Sequence, residues 1–266
     1  MKSMMKRNTF REIKKSFGRY FAILAIVALG VAFFSGLKIT QSVMVHSADV
    51  YLKDLQFYDY RLVSTLGFTE ENVEALAEKE DVRAAEGAIS AEVLYKDAGE
   101  NERVIKMHSI TEKVNKLKLV AGEMPQSADE CVVDSALFSE DAIGSKLVLS
   151  ENNTTDDLDK FAYKEYTITG LVQSPCYIQF ERGNTSIGNG RISGFAYILK
   201  DGFAVDYDTE IYIKFDEDYD IYSDEYDSYM DAKEADWEAY TKEQADIRYE
   251  KIVKDAQDEL DEKKEE

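Results

Sequence analysis

The chain has 266 residues and a formal net charge of −21, from 53 acids against 32 Lys and Arg. So acidic a polypeptide repels phosphate backbones, which excludes nucleic acid as a partner. Aromatic residues make up 12%, enough to predict a packed core rather than disorder.

The charge is unevenly placed. Residues 1–19 hold seven bases and one acid, Glu12, whereas residues 216–266 hold 21 acids and seven bases, a net of −14. In the basic segment Phe10, Ile13 and Phe17 fall on one side among Lys14 and Lys15. That pattern predicts an amphipathic helix lying on an inner membrane face, with a flexible basic segment as the alternative. Phe21–Leu37, FAILAIVALGVAFFSGL, then runs without charge or Pro. With Tyr20 and the stem of Lys38 it reaches the minimum of about 17 residues needed to cross a bilayer. Basic flanks stay in the cytoplasm, so the N-terminus is expected inside and residues from about 40 onward outside. A cleaved signal peptide competes, but Ser35-Gly36-Leu37 lacks the small-x-small cleavage pattern, which favours an uncleaved anchor over residues 20–38. Ala28, Ala32 and Gly36 recur every four residues. Such a stripe lets a second membrane helix approach closely, although Ala and Gly are also common in any membrane helix.

Beyond the span, Ile39–Gln56 lacks Gly and Pro and reads as the same helix continuing outward. Phe57–Thr65 alternates as a strand, and Thr69 opens a short helix with Glu70 and Glu71 in its first turn. Val82–Leu94 and Arg103–Ile110 read as two strands joined by an Asp97–Asn101 turn, and 118–120 leads into a Gly122/Pro125 turn. Glu130–Asp134 is a short buried strand, Ser135 caps a helical turn, and Lys146–Leu149 is a strand. A polar loop over 150–160 precedes the strand Tyr163–Val172, which ends at Ser174-Pro175. Gly183–Gly194 reads as a mobile loop, followed by strands Phe195–Leu199 and Glu210–Phe215.

From about Tyr226 there is no Gly or Pro to the end. Trp237, Tyr240, Ala245, Tyr249, Ile252, Ala256 and Leu260 fall at helical spacing, a thin apolar seam expected to meet a second helical arm in a coiled coil. A single solvated helix is the alternative.

Motifs for chemistry are sparse. The chain has no Walker loop, nucleophile elbow or zinc helix. Cys131 with His108 is the one nucleophile pair to weigh, and it lacks a third group. Cys131 and Cys176 are expected as two unpaired thiols, since sequence alone does not bring their Cα atoms within bonding range. Two Cys and two His (the second being His46) lie too far apart for a zinc pattern. Asp216, Asp218, Asp220 and Asp224 imitate part of a calcium loop, but Ile221 stands where Gly is needed and Asp227 where Glu is needed. An acidic linker is the reading adopted, and neither a cofactor nor a metal is expected.

Three stretches, taken in order, resemble the N-terminal part of an FtsX/MacB-type ABC transporter permease. They are KRNTFREIKKSFGRYFAILAIVALGVAFFSGL, then LVAGEMPQSADECVVD, then IGSKLVL with YTITGLVQSP. The resemblance implies an α+β protein with a single N-terminal transmembrane helix. It implies a cytoplasmic segment at 1–19, the span at 20–38, a mixed α+β extracytoplasmic core domain at 39–215, and an acidic linker with a C-terminal long helix (coiled-coil arm) at 216–266. It further implies a non-enzymatic permease subunit whose partners are a cytoplasmic ABC ATPase, the lipid bilayer, and the missing remainder of the permease or a second copy. Phe10, Lys14, Lys15 and Phe17 would face the inner leaflet or the ATPase. The further membrane helices of that family do not follow, so the chain is expected to be a fragment. The competing expectation is a single-pass anchored binding or adaptor protein.

Overall fold

The computed structural model describes residues 2–97 and 99–265; the side chains of Lys2, Ser3, Lys6, Asn8, Ile252, Asp255, Ala256, Asp258, Glu259, Leu260 and residues 262–265 are left undescribed. Contacts divide the chain into two units, Met1–Val50 and Tyr51–Glu266.

The first unit is helical. Helix α1 spans Lys2–Lys15 and α2 spans Phe17–Asp54. Ser16 separates them: its N–H donates to the Glu12 carbonyl at 2.9 Å, and its own carbonyl accepts from Arg19 at 3.0 Å and Tyr20 at 3.2 Å. No Pro interrupts the following residues, and the isolated glycines Gly18, Gly30 and Gly36 do not break α2, because neighbouring Ala, Leu and Phe sustain the helix.

The second unit is built on two sheets. The smaller is antiparallel, with β1 (Tyr60–Phe68) and β2 (Val82–Ala88) on either side of β10 (Asp208–Phe215). The larger has the order β5 (Lys118–Gly122), β8 (Glu165–Gln173), β6 (Glu130–Asp134), β9 (Ile192–Ile198), β4 (Glu102–Ser109), β3 (Ser90–Lys96), β7 (Lys146–Leu149). It closes on itself, because β7 pairs with β3 on one side and with β8 on the other. Strand β8 makes this possible by splitting one edge: Glu165–Thr167 face β7, and Gly170–Gln173 face β5. The pairs β4–β9 and β6–β8 are parallel and the rest antiparallel. The result is a six-stranded ring with β5 appended, filled by Val93, Tyr95, Ile105, Met107, Cys131, Val133, Tyr166 and Ile198. Full closure leaves no edge along the ring.

Local chemistry accounts for the smaller elements. Helix α3 (Glu70–Ala77) starts at Thr69, whose backbone N–H donates to Asn72 Oδ1 at 3.0 Å. The turn α4 (Thr155–Leu158) lies inside the segment expected to be loop, and Thr154 caps it by accepting from the Asp157 N–H at 3.2 Å. The turn expected after Ser135 forms there, closed by the Phe138 N–H donating to the Asp134 carbonyl at 3.0 Å and capped by Asp134, which accepts from the Ala136 N–H, rather than by Ser135; a separate 3₁₀ turn follows over Glu140–Ala142. The stretch Val82–Leu94, expected as one strand, is two strands in different sheets. The chain changes sheets at Ile89, whose N–H donates to Ser109 Oγ at 2.9 Å. The expected mobile loop is shorter: Asn184 bridges Arg191, and β9 begins at Ile192.

The long helix α5 (Asp224–Glu265) corrects another expectation. Trp237 does not wait for a second arm. It is buried with Leu62, Leu76, Ile213 and Phe215 against the three-stranded sheet, and Tyr240 packs on the same cluster. Ala245 and Tyr249 are exposed, while the side chains of Ile252, Ala256 and Leu260 lie outside the described ones.

Candidate functional site

Helix α2 presents an unusual surface for a protein in water. Phe21, Leu24, Ile26, Leu29, Phe33 and Phe34 are all more than half exposed, on every side of the helix. Mean hydropathy over the most apolar 18-residue window is 2.3, and none of that window is buried. It is one helix long and apolar enough to cross a membrane. A helix apolar all round is stable only where its surroundings are also apolar. Ala28, Ala32 and Gly36 are exposed on it, and a Cβ at Gly36 would meet nothing within 4 Å. Phe10, Lys14, Lys15 and Phe17 are exposed as well, with Phe17 stacked on Phe21 at 5.9 Å between ring centres.

A second set of residues, which periodicity did not pick out, lines the seam between the two sheets. Glu210 on β10 is buried, accepting from Ser90 Oγ and from the Tyr212 hydroxyl, each at 2.5 Å. Lys106 Nζ on β4 lies 3.8 Å from it, and Arg61 on β1 lies 3.9 Å away. Burial pushes the Glu210 carboxyl up, but the Ser90 and Tyr212 hydrogen bonds and the charge of Lys106 outweigh it, and the group titrates below its ordinary value. Strands from both sheets thus share one buried carboxylate. An acid at an inward strand position of DTEIYIKF was the only signal in sequence.

Next to it, His108 is buried, with Nε2 2.6 Å from the Tyr177 hydroxyl and its ring stacked on Tyr197 at 5.0 Å. Burial, then the charge of Lys106, pushes the imidazole down to about 3, so it is uncharged at neutral pH. Burial raises the Cys176 thiol to about 11 and lifts that of Cys131 further. Both sulfurs therefore stay protonated and weakly nucleophilic. The Cys131/His108 pair also fails on geometry. Cys131 sits opposite Ile198, which points into the ring, while His108 sits beside Tyr197, which points out of it. The two cysteines are free.

Of the acids that imitate a calcium loop, Asp216, Asp218 and Asp220 face cations, while Asp224 opens α5. Arg83 grips Asp218 with two nitrogens, at 3.1 and 2.9 Å, and Lys53 pairs with Asp220 at 2.6 Å. The segment after β8 is fixed similarly: Arg182 donates to Asp134 at 2.7 and 3.0 Å, with Arg182 only 10% and Asp134 2% exposed. Phe180, two residues away, is 91% exposed.

The extracellular domain of the noncanonic ABC-type transporter YknZ from Gram-positive bacteria matches 58% of this chain and 76% of its own length, at 12% identity and a TM-score of 0.38. The periplasmic region of MacB from Actinobacillus actinomycetemcomitans matches 60% of this chain and 69% of its own length, at 14% identity and a TM-score of 0.37. No protein-family model matches the chain, and no curated protein does.

Proposed function

We propose that this chain is the N-terminal part of an ABC transporter permease of the FtsX/MacB type. In this reading it couples a separate cytoplasmic ATPase to an extracytoplasmic domain. The observation that carries the reading is α2: apolar side chains are exposed around its whole circumference, and it runs unbroken from Phe17 to Asp54. The order of the three resembling stretches supports the family. The protonated thiols and uncharged His108 support a mechanical rather than a chemical role.

The N-terminus lies inside, by the seven bases of residues 1–19. Lys14, Lys15, Phe10 and Phe17 meet the inner leaflet or the ATPase. Ala28, Ala32 and Gly36 receive another membrane helix, from the rest of the permease or a second copy. Ala245 and Tyr249, exposed on α5, are the residues left to meet another arm.

Topology is tested with single-cysteine variants on a Cys131→Ser/Cys176→Ser background and a membrane-impermeant maleimide. Glu151→Cys should label in intact cells and Thr9→Cys only after permeabilisation; the reverse pattern overturns the reading. Purification of the full-length protein from native membranes should bring ATP hydrolysis with it, and Lys14→Glu/Lys15→Glu should lose it. Correct topology with no hydrolysis in repeated preparations would leave the anchored binding protein instead.

A further inference from the structure

At the β3–β4 turn end of the ring the wall opens into a cleft of about 740 Å³, within the range of small-molecule sites. Its floor is apolar, formed by Leu137, Phe138, Leu147 and Ile168. Tyr95 stands in it with its ring 6.0 Å from that of Phe138. Tyr95 is only 2% exposed, yet its hydroxyl makes no hydrogen bond among the described residues. The hydroxyl oxygen is not sealed from water, so it opens on the cleft and can donate to a molecule that enters there.

A second donor stands beside it. Arg103 is the direct cross-strand partner of Tyr95 and also lines the cleft. Its Nε is used, donating to Asp97 Oδ2 at 2.9 Å, while its two terminal nitrogens donate to nothing among the described residues. Arg and a protonated Tyr both donate, and neither terminal guanidinium nitrogen can accept. Burial pushes Tyr95 up to about 12, which keeps its O–H in place at neutral pH.

The rim sets the charge. Lys96, Arg103 and Lys146 face Asp97, Glu100 and Asp141 around the opening, and Lys146 is also paired with Glu165, so bases and acids nearly balance here on a chain of net charge −21. Asp97 is already occupied, accepting from Gly99, Asn101 and Arg103. Three acids at the rim disfavour a multiply charged anion, and two unspent donors favour a single planar carboxylate. We infer that this cleft binds a small amphiphile carrying one carboxylate, its apolar body against Phe138 and Leu137 and its carboxylate on Tyr95 and Arg103. The inference does not depend on the transporter reading.

The test uses the full chain in lipid nanodiscs and isothermal titration with 4-phenylbutyrate, 4-phenylbutan-1-ol and 4-phenylbutylamine, with empty nanodiscs as the blank. The carboxylate should bind with a Kd below about 1 mM, about tenfold tighter than the alcohol or the amine. Tyr95→Phe and Arg103→Gln should each weaken it by roughly five- to tenfold. Because the Tyr95 hydroxyl holds no partner, Tyr95→Phe should leave the unliganded melting temperature unchanged, so lost binding would not be lost folding. Ala142→Phe, which fills the cleft from its wall, should abolish binding of all three. Equal binding of the three probes, binding indifferent to both donor variants, or no heat from the carboxylate up to about 10 mM would each overturn the inference.

Discussion

Replacing Trp237 by Ala separates a helix docked on the sheet from one that waits for a partner arm. Trp237 is 4% exposed, with Phe215 at 5.4 Å and Tyr60 at 5.9 Å between ring centres, and Lys79 Nζ 5.5 Å over its indole. A buried Trp removes about 200 Å² of surface from water, and truncating such a ring to Ala costs about 3–5 kcal/mol once the cavity is counted. Loss of the Lys79 contact adds about 0.5–1 kcal/mol. Had Trp237 stood on a solvated helix, the change would be within about 0.5 kcal/mol. The assay is urea unfolding of the full chain in detergent, followed by far-UV circular dichroism. Fluorescence serves the parent only, because Trp237 is the sole tryptophan, and its emission should be blue-shifted until the domain unfolds. A destabilisation below about 1 kcal/mol with unchanged m-value would refute the packing described for α5.

Three further outcomes follow from the same structure. His108, held at about 3 against about 6.5 when unfolded, takes up its proton in the unfolded state first. Stability from this group is therefore complete above about pH 6.5 and declines as pH falls towards 3. Between pH 6.5 and 5 the decline is about 1.5 kcal/mol; His108→Gln should lack that component in parallel denaturation curves, and identical slopes would contradict it. Asp134→Ala strands the nearly buried Arg182 guanidinium, which should cost about 3–5 kcal/mol and speed proteolysis in the 178–191 segment; unchanged digestion would refute the anchor. Gly122→Ala should destabilise by at least about 1–3 kcal/mol, since φ is +77° and a Cβ there would lie 2.2 Å from the Thr169 carbonyl oxygen; a neutral thermal melt would contradict that geometry.

Sequence revealed the parts whose signals are local. The uncharged run from Phe21 made α2 plain, Glu130–Asp134 and Lys146–Leu149 are strands over the residues expected, and Thr69 begins α3. What stayed hidden is non-local. Nothing in the run from Val82 marks the change of sheets at Ile89, because a Ser109 hydroxyl twenty residues away takes its N–H. Closure of the ring depends on β8 dividing one edge between β7 and β5, and on β4 running parallel to β9 across a long separation. Trp237 and Tyr240 do lie on one helix, as their spacing predicts. Periodicity gives the face of a helix and says nothing of what covers it; at Trp237 and Tyr240 the cover is the three-stranded sheet. The cleft donors were missed for a related reason: Tyr95 and Arg103 face each other only through their register.

The appended strand β5 has a consequence for handling the protein. Every other strand of the larger sheet has strands on both flanks for part of its length, whereas β5, Lys118–Gly122, pairs only with β8 among the described residues, and Leu119 and Val120 on it are exposed. Lys118 at one end and Pro125 just past the other act as gatekeepers against strand-to-strand sticking. With α2 held in detergent, strand pairing between copies through the larger sheet should use this border, and a charge placed at Val120 is the first remedy to try.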